Sequence, residues 1–194
     1  MGWSDDAARN RGAWTKANAE YTDGKALSSW NDEPRWGIWR IPDAELGVLG
    51  DVGGLDAVEL GCGTAYVSAW LARAGARPVG VDITPAQLET ARRCMQETGI
   101  EFPLVEADGG ATGLPDASAD LVISEYGASI WADPYRWIPE AARLLRDDGL
   151  LVFLRNSTLS ILCGPDMGAV GEQLVRPHGR RAHTDPREAR RRRA

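Results

Sequence analysis

The sequence lacks the features that mark several broad classes of protein. Its 194 residues contain no run of 18 apolar residues, so we expect no membrane-spanning helix, and the N-terminus shows no apolar stretch of a secretory signal. The three cysteines are far apart and odd in number, which fits neither a zinc-binding spacing nor a disulfide framework. We therefore predict a cytoplasmic protein that has no metal site.

Charge is unevenly distributed along the chain. The net charge is −6, yet residues 176–194 contain eight arginines against two acidic residues, which gives +6 and leaves −12 on the rest. An acidic body argues against a nucleic-acid-binding face on the folded domain. Residues 176–194 also contain no aromatic side chain, so we predict that 166–194 is a basic tail, either disordered or out of frame.

Tryptophan is concentrated at the other end. Five of the eight tryptophans lie within residues 1–45, and that many large apolar rings cannot all stay in water cheaply. We predict that residues 1–45 form one or two helices that cover the main domain. Ile41-Pro42-Asp43 is typical of a helix start, because proline fits the first turn.

From residue 55 onward, short apolar runs alternate with helical patterns. The predicted strands are 55–60, 78–81, 102–105, 119–124 and 150–154, and the predicted helices are 66–74, 85–98 and 139–146. We expect the last strand to be covered on both faces, because it is apolar at every position. This order predicts an α/β fold with a mostly parallel, Rossmann-like sheet in residues 46–165. Ligands of such sheets bind beyond the carboxyl ends of the strands.

Three motifs stand at those strand ends. Gly61-Cys62-Gly63 follows the first strand; it permits a close approach to a ligand, or simply a tight turn. Asp82 ends the second strand and suits the two hydroxyls of a ribose, with a helix cap as the alternative role. Asp108, after the third strand, can accept a hydrogen bond from an adenine amino group.

Together these motifs resemble the class I S-adenosylmethionine-dependent methyltransferases that act on small molecules. The matching stretches in residues 57–155 are ELGCGT, VGVDIT, EADGGATGLP, ADLVIS and RLLRDDGLLVF. The stretches RNRGAWTKANAEY and EPRWGIW are similar to a bacterial subgroup, which extends the resemblance to residues 9–165. The resemblance implies S-adenosylmethionine as cofactor and a small-molecule methyl acceptor as partner.

The resemblance also assigns roles to individual residues. The cofactor-binding residues would be Glu59, Gly61, Cys62, Gly63, Asp82, Ile83, Asp108, Gly109, Ser124 and Tyr126. Of these, the residues of the first motif would line the methionine part, those near Asp82 and Asp108 the adenosine, and those from Ser124 on the reacting methyl. The N-terminal residues that would cover the cofactor are Tyr21, Trp30 and Trp36. Gln87 is a further candidate, although an exposed helix position is the favoured interpretation.

Two positions near the first motif bear on the choice of cofactor. Ala65 stands where the family often has a third glycine, and we expect the extra methyl group to be tolerated. Tyr66 occupies the position where a dinucleotide site needs glycine, which disfavours a diphosphate and hence a nicotinamide-dependent oxidoreductase. The two histidines lie in the tail, so we assign no catalytic residue; Tyr126 and Glu125 are the nearest candidates for a general base.

The predicted pattern stops after five strands, whereas the family sheet has seven in the order 3-2-1-4-5-7-6. We therefore predict that strands six and seven are missing, either because the tail is out of frame, which we favour, or because it is a basic arm for an acidic partner. An exposed edge on the fifth strand would permit self-association, and loss of the part that closes the substrate pocket would impair turnover. The alternative function is a truncated methyltransferase-like protein that only binds cofactor or serves as a binding module.

Overall fold

The structure is a computed structural model that describes residues 5–165 and 171–175. The predicted tail lies outside the described residues except for 171–175. The chain divides into two compact units, residues 1–155 and 156–194. No helix in the described part of the chain is both long and apolar enough to cross a membrane.

The N-terminal segment is mainly helical, and it also contains two short strands. Its elements are α1 (Asp5–Ala17), a π-helical turn (Asn18–Thr22), α2 (Asp23–Asn31), β1 (Arg35–Trp36), β2 (Ile41–Pro42) and α3 (Asp43–Leu46). The strands β1 and β2 pair antiparallel to each other. Two residues per strand are too few for an alternating pattern, which is why these strands were not predicted.

A five-stranded sheet forms the centre of the first unit. Its strands are β3 (Asp56–Leu60), β4 (Arg77–Asp82), β5 (Leu104–Glu106), β6 (Ala119–Glu125) and β7 (Leu145–Leu154), and the helices between them are α4 (Tyr66–Arg73), α5 (Pro85–Thr98), α6 (Ala128–Trp131) and α7 (Pro134–Leu144). The order is β5-β4-β3-β6-β7, with all neighbours parallel. This confirms the Rossmann-like α/β fold. The prediction of five strands with two missing is wrong, because the described residues contain seven strands.

Alternation along the strands divides the core between the two faces of the sheet. Val58 and Leu60 point to one face, where they pack with Trp137 of α7, whereas Ala57 packs on the other face with Trp70 of α4. Register brings the strand ends level: Leu60 lies opposite Val81, and the next residue of β4, Asp82, lies opposite Glu106. The carboxyl ends of β3, β4 and β5 therefore form one edge.

Helix α7 begins five residues earlier than predicted. Asp133 caps it by accepting a hydrogen bond from the Tyr135 N–H at 2.9 Å, and Pro134 takes the first position. Two prolines in this stretch suit a helix start, and the sequence pattern chose the later one, Pro139. Ile138, which precedes the predicted start of the helix, is 40% exposed, whereas Trp137 is buried.

Strand β7 is longer and more exposed than predicted. It runs through the predicted turn at 147–149, where the register against β6 shifts and Asp148 has a φ of 66°. Leu150 is 58% exposed and Phe153 is 45% exposed, so the expected cover on both faces is wrong. The reason is position, because β7 is the outermost strand of the sheet.

The described part of the second unit contains one helix, α8 (Thr158–Cys163). Its start is capped by the Ser157 hydroxyl, which accepts a hydrogen bond from the Ser160 N–H at 3.0 Å.

Candidate functional site

A cavity of about 400 Å³ lies at the carboxyl ends of β3, β4, β5 and β6. Eight of the ten predicted cofactor-binding residues line it: Gly61, Cys62, Gly63, Asp82, Ile83, Asp108, Gly109 and Tyr126. These residues come from four different strand ends, and the strand order alone brings them together. The predicted edge of the sheet is thus also the wall of the cavity.

The glycine turn after β3 is fixed by its surroundings as well as by its own backbone. Gly61 has a φ of 75°, and a Cβ there would stand 2.4 Å from the backbone nitrogen of Ala128. Gly63 also has a positive φ, of 55°, and its N–H donates to Asp82 Oδ2 at 2.8 Å. The turn therefore needs glycine for its shape, and it also borders the cavity.

Asp82 connects two loops at the cavity wall. Besides the Gly63 N–H, it accepts the Thr84 N–H on Oδ1 at 2.8 Å, so it does cap the turn into α5. The Thr84 side chain itself makes no capping hydrogen bond, contrary to the usual role of threonine at that position. Burial raises the pKa of Asp82, and the backbone N–H groups of Gly63 and Thr84 oppose that rise. Each carboxylate oxygen retains a lone pair for a ligand hydroxyl.

Asp108 has a partner that the sequence did not reveal. Its carboxylate accepts the Gly110 N–H at 2.9 Å and forms an ion pair with Arg136 of α7 at 3.2 Å. Arg136 also lines the cavity. It escaped prediction because α7 was expected to begin after it.

Two predicted residues, Glu59 and Ser124, are buried behind the cavity and do not line it. Glu59 accepts hydrogen bonds from Ser68 at the start of α4. The Ser124 hydroxyl donates to the Leu60 carbonyl at 2.7 Å and accepts the Ser129 N–H at 3.1 Å. Both side chains hold the loops that form the wall.

The N-terminal cover differs from the prediction in its residues. Tyr21 lines the cavity, but Trp30 and Trp36 do not. The Trp30 indole N–H donates to the Thr64 carbonyl at 2.7 Å, and Trp36 packs on Trp70 with ring centroids 5.9 Å apart. Gln87, expected to be exposed, is 3% exposed and lines the cavity.

Helix α1 reaches across to the opposite wall. Asn10 donates to the Trp131 carbonyl at 2.6 Å, and Trp14 meets the Trp131 ring edge-on with centroids 5.4 Å apart. Both α1 residues line the cavity. A tryptophan-rich N-terminus was the signal for a cover of this kind, although it did not show which rings were involved; Trp39 in fact is 81% exposed.

The wall next to the glycine turn contains a linked tyrosine and glutamate. The Tyr66 hydroxyl donates to Glu125 Oε2, and the Gly37 N–H donates to Oε1 at 3.1 Å. Burial raises the pKa of Glu125, and the hydrogen bonds from Tyr66 and Gly37 oppose that rise. From the sequence, Tyr66 was expected only to disfavour a diphosphate, and its hydrogen bond to Glu125 of β6 was not predicted.

The cavity fits an adenosyl ligand that carries no phosphate. Its volume lies in the range of small-molecule sites, and two carboxylates, Asp82 and Asp108, stand at adjacent strand ends to accept hydroxyl and amino hydrogens. Among the described residues that line it, Arg136 is the one basic residue, and Asp108 already pairs with that arginine.

Comparison with known proteins agrees with this geometry. Residues 58–153 match a family model described as a methyltransferase domain. This segment belongs to the class I S-adenosylmethionine-dependent methyltransferases. The cofactor of these enzymes is S-adenosylmethionine.

Named relatives of this methyltransferase domain include two enzymes of quinone biosynthesis. The demethylmenaquinone methyltransferase of Clavibacter sepedonicus is 34% identical over 135 residues, covering 68% of this chain and 51% of the relative. The ubiquinone biosynthesis O-methyltransferase of Ruegeria pomeroyi is 28% identical over 110 residues, covering 57% of this chain and 44% of the relative. The chain spans about half the length of the curated relatives it matches.

Among solved structures, the cyclase SpnF matches with a TM-score of 0.55 and 21% identity, covering 71% of this chain and 59% of that one. At this identity the match shows the fold alone. A cyclase with the same fold also means that the reaction must be argued from the site.

Proposed function

We propose that this chain binds S-adenosylmethionine in the cavity and transfers its methyl group to a small-molecule acceptor. The observation that carries the proposal is the row of groups along one sheet edge: Asp108 after β5, Asp82 on β4 and the Gly61–Gly63 turn after β3. A row of two carboxylates and a glycine turn matches the order of adenine, ribose and methionine in the cofactor.

The two carboxylates would hold the adenosine. The N–H groups of Gly63 and Thr84 hold the Asp82 carboxylate in place. Its remaining lone pairs are therefore already oriented to accept hydrogen bonds from the ribose hydroxyls. Asp108 would accept from the adenine amino group, and its ion pair with Arg136 holds the carboxylate in place for that purpose.

The cofactor, when bound, supplies an activated methyl group on a sulfonium. The chain then has to position the acceptor and exclude water, since alignment provides most of the rate acceleration in such a reaction. Helix α1, held to α6 through Asn10 and Trp14, covers the cavity on the solvent side. The unit that contains the cavity has no histidine, so no histidine base is part of the proposal.

The acceptor is a small organic molecule in this proposal. The names of the two relatives concern menaquinone and ubiquinone biosynthesis, which makes quinone-type rings the first acceptors to test. The apolar residues among the cavity lining, including Trp14, Trp131 and Ala128, are compatible with a ring of that kind.

Calorimetric titration tests the cofactor. We expect S-adenosylhomocysteine to bind and NAD to show no heat, because a cavity with an excess of carboxylates repels a diphosphate. Binding of NAD alone would contradict the proposal.

A labelled-methyl assay with demethylmenaquinol and a metabolite pool then tests the transfer. Binding without any transfer would favour the alternative, a binding module that retains the cofactor site.

A further inference from the structure

Glu125 lies at the far end of the row of groups along the sheet edge. Glu125 is the last residue of β6. In the strand order, β6 lies three strands away from β5, which is about 14 Å at the usual strand spacing. An adenosyl group held at Asp82 and Asp108 occupies the β4 and β5 end. The remaining part of the ligand, with its sulfur, then extends past the Gly61–Gly63 turn towards Glu125.

Glu125 is a buried carboxylate that has only neutral partners. Its side chain lines the cavity and the residue is 8% exposed. Its two oxygens accept hydrogen bonds from the Tyr66 hydroxyl and the Gly37 N–H, and in the described part of the chain it forms no ion pair with a lysine or arginine. Two neutral donors leave further lone pairs of the carboxylate free to meet a ligand.

The charges around the cavity point to a cationic ligand at this end. In the described part of the chain, the lining contains one arginine against four acidic residues, Asp82, Asp108, Glu125 and Asp133. That arginine pairs with Asp108 at the opposite end. A carboxylate buried without a cation is costly, and a cation brought in by the ligand offsets that cost.

The reactant and the product of methyl transfer differ in charge at one atom. When the methyl group leaves, the electron pair of the carbon–sulfur bond remains on sulfur, so the sulfonium becomes a neutral thioether. The acceptor uses an electron pair of its attacking atom to form the new bond to the methyl carbon, and the proton that this atom carried passes to solvent. S-Adenosylmethionine therefore carries a positive charge beside the cavity wall that S-adenosylhomocysteine lacks.

We propose that Glu125, positioned by Tyr66 and Gly37, makes the site prefer the sulfonium of S-adenosylmethionine over the thioether of S-adenosylhomocysteine. This inference rests on the proposed function, because it takes the cofactor's position from it. Glu125 then acts as a specificity-determining residue that favours release of the product. Tyr66 is a positioning residue, since its hydroxyl holds the carboxylate and carries no charge itself.

Titration calorimetry of the 194-residue chain with both ligands tests the inference. The variants are Glu125→Gln, which removes the charge at nearly constant shape, Tyr66→Phe, which removes one donor and keeps the charge, and Glu89→Gln as a matched control on exposed α5. We expect Glu125→Gln to lower the ratio of the two affinities by about tenfold, mostly through weaker binding of S-adenosylmethionine, which corresponds to roughly 1.4 kcal/mol. Tyr66→Phe and Glu89→Gln should keep most of the preference.

The outcomes separate the inference from the function on which it rests. If the unaltered chain binds neither ligand, the proposed function is wrong and the inference fails with it. If both ligands bind and Glu125→Gln leaves their ratio unchanged, the function stands and the inference alone is overturned. Loss of the ratio in Tyr66→Phe without such a loss in Glu125→Gln also overturns it, because the tyrosine variant keeps the carboxylate.

A second measurement requires no variant and covers the case in which Glu125→Gln does not fold. Sinefungin replaces the sulfonium by a carbon that bears an ammonium group and is otherwise close to the cofactor. We expect it to bind the unaltered chain more tightly than S-adenosylhomocysteine does. Equal or weaker binding of sinefungin would overturn the preference for a cation.

Discussion

Glu59 accepts two hydrogen bonds from Ser68, one from its backbone N–H at 2.9 Å and one from its hydroxyl at 2.6 Å. This pair ties the end of β3 to the first turn of α4 on either side of the glycine turn. The carboxyl group is fully buried, and burial is the main reason that its pKa rises to about 8. Its location behind the cavity indicates a structural role: it sets the position of the turn that borders the ligand.

The raised pKa of Glu59 predicts a loss of stability towards alkaline pH. The folded state keeps the Glu59 proton up to about pH 8, whereas the unfolded chain releases it near the ordinary value of 4.5. Between these values the folded state binds more protons, so the free energy of unfolding falls as pH rises, by at most about 1.4 kcal/mol per pH unit. Glu59→Gln should flatten this slope in urea unfolding from pH 5 to 8. Parallel slopes for the two proteins would contradict the prediction.

Glu140 predicts the opposite pH dependence. Arg143 is the main cause that lowers its pKa to about 2, helped by hydrogen bonds from Thr112. The unfolded chain takes up the proton near 4.5, so the stabilisation is complete above that pH and is lost as pH falls towards 2. Glu140→Gln should lower the free energy of unfolding by about 1–3 kcal/mol at pH 7. The difference from the unaltered chain should shrink in acid; a constant difference down to pH 2 would argue against it.

Sequence patterns predicted the parts of this fold that repeat and missed the parts that depend on a single contact. The strands β3, β4 and β6 and the helix α5 were found because each has a regular apolar pattern and a clear end, such as Gly99 with its φ of 72°. The start of α7 was missed, since two prolines offered equally good first positions and only the Asp133 cap decides between them.

Prediction of the site followed the same rule. Residues at strand ends, such as Asp82 and Asp108, were found because the topology of a parallel sheet brings strand ends together. Partners that come from distant segments, such as Arg136 and Glu125 with Gly37, depend on how the chain returns to the sheet, and no local pattern encodes that. Glu59 and Ser124 were assigned to the cavity by resemblance, but their side chains point into the hydrogen-bonded core behind it.

The backbone conformation of Ala65 predicts that a glycine at this position makes the folded state more stable. It has a φ of 60° and a ψ of 33°, the left-handed conformation in which a Cβ is unfavourable, and it is fully buried at the start of α4. The extra methyl group is therefore accommodated with strain, which corrects our expectation of simple tolerance. Ala65→Gly should raise the free energy of unfolding by about 1 kcal/mol. The matched control Ala69→Gly, inside α4, should lower it by a similar or larger amount; destabilisation by both would refute the assignment of strain.

The location of Asp82 predicts that its carboxylate contributes to the affinity for the cofactor. Asp82→Ala should weaken binding of S-adenosylhomocysteine by about 1–3 kcal/mol, the usual cost of losing hydrogen bonds to a charged group. Because Asp82 also accepts the N–H groups of Gly63 and Thr84, Asp82→Asn serves as the milder variant that retains an acceptor oxygen. Exposed Asp147 provides the control for lost charge alone. Unchanged affinity in the Asp82 variants, with their melting temperatures preserved, would remove Asp82 from the site.

The outer strand predicts self-association of the chain. Within residues 5–165 and 171–175 no strand pairs with the free edge of β7, and the strand exposes Leu150 and Phe153. Such an edge pairs readily with another chain, and a lysine on it prevents that pairing. Sedimentation velocity at increasing concentration should show association of the unaltered chain and less of it for Leu150→Lys. Tyr135→Lys, at an even more exposed site on α7, controls for general apolarity. An equal effect of both variants, or a monomer throughout for the unaltered chain, would show that the edge is not the cause.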